Sequence, residues 1–378
     1  MMELDTLAKS LKDALPELQS LARAEYGSAD EADLRPAISR LAELGALQAI
    51  LPRADGGAGL ALESRAAPVL ATALRRLGRA DLSLARLYEG HVNAARLIEV
   101  HGSPSQLARY NEMIRQGAIL GVWGADGDPP VRLHAEASGA MHLTGHKRFA
   151  SGLGIVTHSL LTARTESGEA RLVLVEADDP ARHHAAAWTA SAMRASRSGG
   201  FEADGLEVTA EDLIGDCGAL LVEPYFEGGI WRYCAAHVGG AEALIAETRR
   251  ALDAGGRLAD PIQRSRFGRM YASVEAARQA TETAARTTEA SLGGTPRDVR
   301  LAVARALLAR ESVEKCCTEI LDLCERALGT QAHDTCFPTD RIRRDLSLFL
   351  RQAAPDAKLD RAVAILLEDG PPEVGEAW

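Results

Sequence analysis

The sequence predicts an α+β fold that is mainly α, with an N-terminal helical domain, a middle β-barrel-like domain and a C-terminal helical bundle. Three observations predict it. Apolar residues recur at three- and four-residue spacing through the first 118 residues. Near Ile119 the pattern changes to β-branched, alternating stretches between Gly and Asp turns. From Glu223 helical periodicity returns and runs nearly to the C-terminus. The expected domains are 1–118, 119–218 and 219–378. No alternating strand–helix units occur, so a doubly wound sheet is not expected.

In the first region, Leu4, Leu7, Leu11, Leu15 and Leu18 form one apolar stripe and predict a single amphipathic helix. Leu34, Ile38, Leu41 and Leu44 mark a second helix that stops before Gly45, and Leu70, Ala73, Leu74 and Leu77 mark another. Between them LPRADGGAGLAL (Leu51 to Leu62) reads as a glycine-rich turn. In the second region, Leu172-Val173-Leu174-Val175 reads as a buried strand, with Ser167-Gly168 before it as a hairpin turn. In the third, segments 225–254, 261–290 and 296–328 are longer than average helices and suggest an antiparallel bundle of four or five members. Gly293-Gly294-Thr295 links two of them, and Pro296 opens the next as a first-turn proline.

Composition excludes several functions. The chain has 378 residues, enough for two or three packed units. Its net charge is −10 and aromatics make up only 4%, which disfavours a nucleic-acid partner. No apolar run reaches the roughly 18 residues of a membrane span. The N-terminus lacks the basic start and short apolar block of a signal peptide, so a cytoplasmic location is expected. The six cysteines form no CxxC pair and have no histidine at zinc-finger spacing. They are expected to be buried free thiols, and no metal site is expected. No G-x-G-x-x-G follows a strand and no phosphate-binding G-x-x-x-x-G-K-[ST] occurs, so a Rossmann-type nucleotide site is unsupported.

Several motifs, in order, carry a resemblance. Leu51-Pro52 followed by Gly56-Gly57-Ala58-Gly59-Leu60 resembles an I-P-x-x-x-G-G-x-G-L loop. HVNAARLIEVHGSPSQLARY (His91 to Tyr110) resembles a helix pair ending in G-[ST]-x-x-Q-[KR]-x-x-[YF], with Leu107 in place of the basic residue. LTGHKRFASG (Leu143 to Gly152) resembles L-N-G-x-K-x-[WFY]-I-[TS]-N-G, one residue shorter. Met193-Arg194-Ala195-Ser196 with Leu213-Ile214-Gly215 resembles G-M-R-[AG]-S…[LI]-[LI]-G. Leu328 to His333, Pro338 and Arg344-Asp345 follow the order of the family's C-terminal segment. On these motifs, which span nearly the whole chain, the sequence is identified as a member of the acyl-CoA dehydrogenase superfamily.

The resemblance implies FAD. Trp123 lies in the strand that flanks the flavin ring in the family, Phe149 would stack beside it, and Ser151 would hydrogen-bond near N5 or O4. A flat ring needs such an apolar wall with a few placed donors. The family segment that reaches the FAD pyrophosphate of a neighbouring subunit is compressed to RLADPIQR, leaving Arg264, Arg257 or Arg266 to meet a phosphate. The family's T-E-P appears as Ala125-Asp126-Gly127, so a threonine hydroxyl is missing. The resemblance also implies a homodimer or homotetramer built from the C-terminal bundles.

The catalytic base is missing too. Counting from Arg344-Asp345, the family's glutamate position falls on Ala353, which cannot take a proton. Some members carry the base on the first helix of the bundle, but Ile230 to His237 contains no Glu and Glu227 lies close to one turn too early. Asp356 is a conceivable substitute and also reads as part of a helix start. The leading expectation is an FAD-dependent acyl-CoA dehydrogenase-like oxidoreductase with a relocated base, acting on an acyl-CoA or similar activated acid and passing electrons to an electron-transfer flavoprotein. A second is a flavin-dependent monooxygenase of the same fold, fed by a flavin reductase, with His91, His237 and His333 as candidate polar groups. A third is a non-catalytic relative kept for binding or assembly.

Overall fold

The computed structural model describes residues 4–22, 32–352 and 354–370. The N-terminal region contains α1 (Leu4–Asp13), α2 (Leu15–Ala22), α3 (Arg35–Glu43), α4 (Ala67–Ala80), α5 (Leu82–His101) and α6 (Pro104–Arg115). The leucine stripe expected as one helix is therefore two. Pro16 is the second residue of α2 and has no N–H for a continuing helix, so the chain breaks between α1 and α2. The stripe still serves one core, since Leu7, Leu11 and Leu18 are all buried. The glycine-rich turn is self-supporting: Gly57 N–H donates to Pro52 O and Gly59 N–H to Leu51 O. A Cβ on Gly57 would lie 2.1 Å from Leu51 O, so only glycine fits.

The middle region has ten strands: β1 (Leu120–Trp123), β2 (Arg132–Ala135), β3 (Met141–Thr144), β4 (His146–Ala150), β5 (His158–Arg164), β6 (Ala170–Glu176), β7 (His183–His184), β8 (Gly199–Glu202), β9 (Leu206–Val208) and β10 (Leu213–Ile214). Seven form a curled sheet in the order β10-β6-β5-β2-β3-β9, with β1 added parallel to β5. Strands β4, β8 and β7 form a second sheet in that order. Trp123, Leu161, Val173 and Val175 from the large sheet meet Ala150 and Phe201 from the small one in a shared core. The β5–β6 hairpin turns at Thr165–Glu169, with Gly168 at φ 86°, as Ser167-Gly168 predicts.

The C-terminal region contains α7 (Trp231–Ala254), α8 (Pro261–Ala290), α9 (Pro296–Leu328), α10 (Pro338–Phe349) and α11 (Pro355–Asp369). Helix α7 starts six residues later than the sequence pattern predicts. The Glu223 carboxylate instead accepts from the backbone N–H groups of Glu227 and Gly228, holding a turn ahead of the helix. Thr295 and Asp298 form a capping box at α9, whose first turn holds Pro296. Helices α4 and α7 cross at backbone contact. A Cβ on Gly239 would lie 2.0 Å from Arg75 O, and one on Gly78 2.2 Å from Ala236 O. Such proximity is open only to glycine at both points and fixes α7 against the N-terminal helices.

The six cysteines are unpaired. Cys234, Cys317 and Cys324 are buried as expected, whereas Cys217 and Cys316 are half-buried and Cys336 is exposed in the turn before α10. Among the described residues no helix is long and apolar enough to cross a membrane.

Candidate active site

Helix α5 is the element that joins the three regions. It packs on β1, on α7 and on the short turn Arg194–Ser196. Gly90 on α5 faces Gly121 on β1. The next residue but one along β1, Trp123, is buried, and its indole N–H donates to Ser151 O at 3.0 Å. Ser151, half-buried, follows β4. Its Oγ lies 3.0 Å from Ser198 Oγ, which lies 2.8 Å from Ser196 Oγ, which donates to Met193 O at 2.6 Å. Three hydroxyls thus form a chain that ends at half-buried Ser151.

Phe149 has φ 57° and is 52% exposed. A bulky residue in the left-handed region is a steric outlier, and such strain gathers at functional positions. Its ring lies under the Arg148 guanidinium (4.5 Å) and meets Trp188 edge-on (6.1 Å). The structure therefore brings Trp123, Phe149 and Ser151 onto one short stretch of the middle region. Arg264 is not among them. It sits exposed in the first turn of α8, where it donates to Ala259 O. Arg257 is also exposed, and Arg266 binds Gln263 at 3.2 Å.

The motif residues around this stretch are held by long-range contacts. Lys147 is fully buried and donates to Asp126 (2.6 Å) and Thr162 (2.7 Å), so the acid that follows β1 is an ion-pair partner. Burial lowers the ammonium below its ordinary value, and Asp126 opposes that shift. Gln106 donates to Glu211 O and Leu213 O, and the Tyr110 hydroxyl donates to Glu211 O, docking α6 on β10. Asp345 on α10 accepts from Met193 N–H at 2.5 Å and faces Arg341 at 3.5 Å. Arg341 in turn pairs with Asp81, the N-cap of α5. Burial pushes Asp345 up to about 6, with Arg341 opposing. Arg344 reaches Ser191 O and Asp340. The Arg-Asp motif pins the Met193–Ser198 loop to the helical bundle.

The base positions hold no free acid. Ala353 lies outside the described residues. Asp356 is exposed in the first turn of α11. Glu227 is buried and paired with Lys358 (3.1 Å) and Arg361 (2.8 Å), which ties α11 to the start of α7. At the α7 position stand Trp231, Arg232 and Tyr233, all buried. Arg232 donates to Asn93 at 3.2 Å and faces Glu289 at 3.7 Å, while Arg96 pairs with the same Glu289 at 2.7 Å. Glu89 completes the network with Arg86 and Asn93. Burial pushes Arg232 down to about 10, with Arg96 adding to the effect. Five charged side chains, Arg86, Glu89, Arg96, Arg232 and Glu289, therefore occupy the α5–α7–α8 junction.

Beside them, Trp231 Nε1 is buried with no hydrogen-bond partner among the described residues, and Tyr233 OH and His237 Nε2 are buried close to Arg310 and to the Phe349 backbone. Tyr233 and His237 are one helical turn apart, with ring centroids at 5.3 Å, and Phe349 at the end of α10 meets His237 edge-on at 4.5 Å. Burial, with Arg310 nearby, pushes His237 down to about 3, so the ring is neutral. His91 is different. Its Nδ1 accepts from Leu120 N–H (3.0 Å) and its Nε2 donates to Leu47 O (3.1 Å), so both nitrogens hold the α5–β1 contact. His333 is exposed, 3.9 Å from Glu325. Sequence reasoning missed Arg148, Trp188, Ser198 and the buried ion network, since no local spacing marks them.

Comparison with known proteins agrees with this architecture. Residues 5–118 match the acyl-CoA dehydrogenase N-terminal domain and residues 232–351 the acyl-CoA dehydrogenase C-terminal domain, together more than half of the chain. The chain belongs to the acyl-CoA dehydrogenase superfamily. No curated protein sequence matches it significantly. Among solved structures it is similar to the dibenzothiophene monooxygenase of Paenibacillus sp. A11-2 in complex with FMN and indole. That pair is 19% identical with a TM-score of 0.80, covering 98% of this chain and 97% of the other. It is similar also to KijD3 with FMN and a dTDP-linked amino sugar (20% identity, TM-score 0.81, 98% and 95% covered). A third is methanesulfinate monooxygenase of Pseudomonas fluorescens (16% identity, TM-score 0.79, 98% of each chain). At these identities the likeness is one of fold.

Proposed function

We propose that this chain is a flavin-dependent monooxygenase of the acyl-CoA dehydrogenase fold, which takes reduced FMN from a separate reductase and oxygenates a small organic molecule. One observation carries the reading: neither base position offers a carboxylate. Removing a thioester α-proton without one costs roughly 10²–10⁴-fold in rate. Oxygenation by reduced flavin has no such requirement. The expected acyl-CoA dehydrogenase activity therefore yields to the alternative, and a flavin reductase replaces the electron-transfer flavoprotein as redox partner.

The residues present fit a flavin. An exposed, strained Phe149 beside Arg148 and Trp188 offers an aromatic wall with a cation at its rim, and Ser151 offers a hydroxyl at the end of a hydrogen-bonded chain. FMN is favoured over FAD because the segment that would reach an FAD pyrophosphate is compressed, and because two of the similar structures hold FMN. When bound, reduced flavin would supply the activation of dioxygen. In this reading Ser151 orients the ring, and buried Trp123 holds Ser151 in place from behind through its N–H to Ser151 O. Exposed Ile262 and Tyr271 on α8 support a homo-oligomer, and a free exposed Cys336 fits a reducing, cytoplasmic setting.

The test is oxygen uptake with photoreduced FMN and a panel of small aromatic, sulfur-containing and amino-sugar compounds, with product analysis. An oxygenated product formed only with protein supports the reading. Anaerobic bleaching of protein-bound FAD by an acyl-CoA would restore the dehydrogenase. A protein that binds neither reduced FMN nor FAD and yields no oxygenated product would point to the non-catalytic relative.

A further inference from the structure

We infer that His146, His184 and Glu202 form a binding site for a divalent transition-metal ion of borderline softness, such as Zn²⁺ or Ni²⁺. The three residues come from the three strands of the small sheet. His146 on β4 is directly opposite Glu202 on β8, and His184 on β7 is opposite Gly200 on β8. Residues 200 and 202 share a face, so all three side chains project on the same side of the sheet. One ligand atom from each residue lies within 4.8 Å of the others. His184 Nε2 is already 3.0 Å from Glu202 Oε2, close to the ~3.3 Å between ligands on a tetrahedral ion with bonds of about 2.0–2.1 Å.

The backbone beneath the cluster is fixed. His146 N–H donates to Pro129 O and its carbonyl accepts from Gly127 N–H. Gly200 leaves the space over which His184 leans, since a Cβ there would come within 3.3 Å of His184 Cβ and 3.8 Å of Ala187 Cβ. Two imidazoles and one carboxylate favour Zn²⁺, Ni²⁺ or Cu²⁺ over Mg²⁺ and Ca²⁺, which prefer all-oxygen sets. Three ligands leave at least one coordination position open to water or another donor. The inference is independent of the flavin reading, because no residue of the cluster is used there.

The test is calorimetric titration of the intact, tag-free, EDTA-treated protein with ZnCl₂, NiCl₂ and MgCl₂, with melting curves in parallel. The expected result is one Zn²⁺ or Ni²⁺ site per chain, no Mg²⁺ heat, and a rise in the melting midpoint with excess Zn²⁺. His146→Ala, His184→Ala and Glu202→Gln should each weaken binding by about tenfold or more, at least as much as loss of a mere supporting partner. A His134→Ala/His142→Ala double variant, which removes the stacked histidine pair on β2 and β3, should bind as wild type. Absence of saturable Zn²⁺ and Ni²⁺ binding would overturn the inference. So would binding that survives His146→Ala and His184→Ala, or is lost only in the His134/His142 variant. His184 is exposed, so its replacement leaves the core untouched, and an unchanged melting curve of the apo variant checks that it folds.

Discussion

Replacing Asp345 tests how the helical bundle holds the Met193–Ser198 loop. Its carboxylate is buried, accepts from Met193 N–H and faces Arg341. Burial raises it from about 3.8 to about 6. A shift of roughly two units corresponds to about 3 kcal/mol between its two protonation states. The sign follows from linkage. Between pH 3.8 and 6 the native state holds the proton and the unfolded state does not, so Asp345 contributes stability that is present in acid and lost as pH rises through about 6. Asp345→Asn keeps an acceptor for Met193 N–H and cannot titrate. Urea unfolding of both proteins at pH 7 and pH 4.5 isolates the residue, because every other group is common to the pair. At pH 7 the variant leaves Arg341 paired with Asp81 and should therefore cost less than the roughly 3–5 kcal/mol of a stranded buried charge. At pH 4.5 wild type should gain on the variant by on the order of 1–3 kcal/mol. A difference that is flat in pH, or that grows with rising pH, would refute the reasoning. Asp345→Ala, which leaves the buried N–H unsatisfied, should cost about 1–3 kcal/mol at pH 7.

Further expectations follow from the same contacts. His237 and His91 are held neutral, down to about 3 and about 4, so they contribute stability that is lost as pH falls below 6.5. His237→Phe should make the acid limb of the stability profile shallower. Glu289→Ala strands Arg96 and Arg232 in the interior and should cost about 3–5 kcal/mol in urea unfolding, with Glu289→Gln costing less. Gly239→Ala forces α4 and α7 apart and should lower stability by about 1–3 kcal/mol or more, whereas an alanine at exposed, unobstructed Gly268 should not. If the flavin reading holds, Phe149→Ala and Ser151→Ala should weaken FMN retention without changing the far-ultraviolet spectrum.

Local signals in the sequence were strong where one element decides its own structure. The α4 stripe, the Ser167-Gly168 hairpin and the Thr295–Pro296 helix start depend on neighbours within a few residues, and each is found where the pattern points. Pro16 was also visible, yet the regular leucine spacing around it masked the break. What was not legible depends on contacts between distant segments. Asp345 meets Met193 across 152 positions, and Arg96 meets Glu289 across 193. The ligands inferred for a metal come from three strands, so no spacing motif exists to find them. The proposed site is legible in part for the same reason. Trp123, Phe149 and Ser151 lie on matching motifs, but Arg148, Trp188 and Ser198 come beside them only when β4, β8 and the Met193 loop are brought together.

The most direct test of the flavin monooxygenase reading is the reoxidation of photoreduced FMN by oxygen in a stopped-flow instrument, with and without excess protein. The reading predicts that protein-bound FMN reoxidises with kinetics distinct from free FMN and dependent on protein concentration. Reoxidation identical to free FMN at every protein concentration would contradict it.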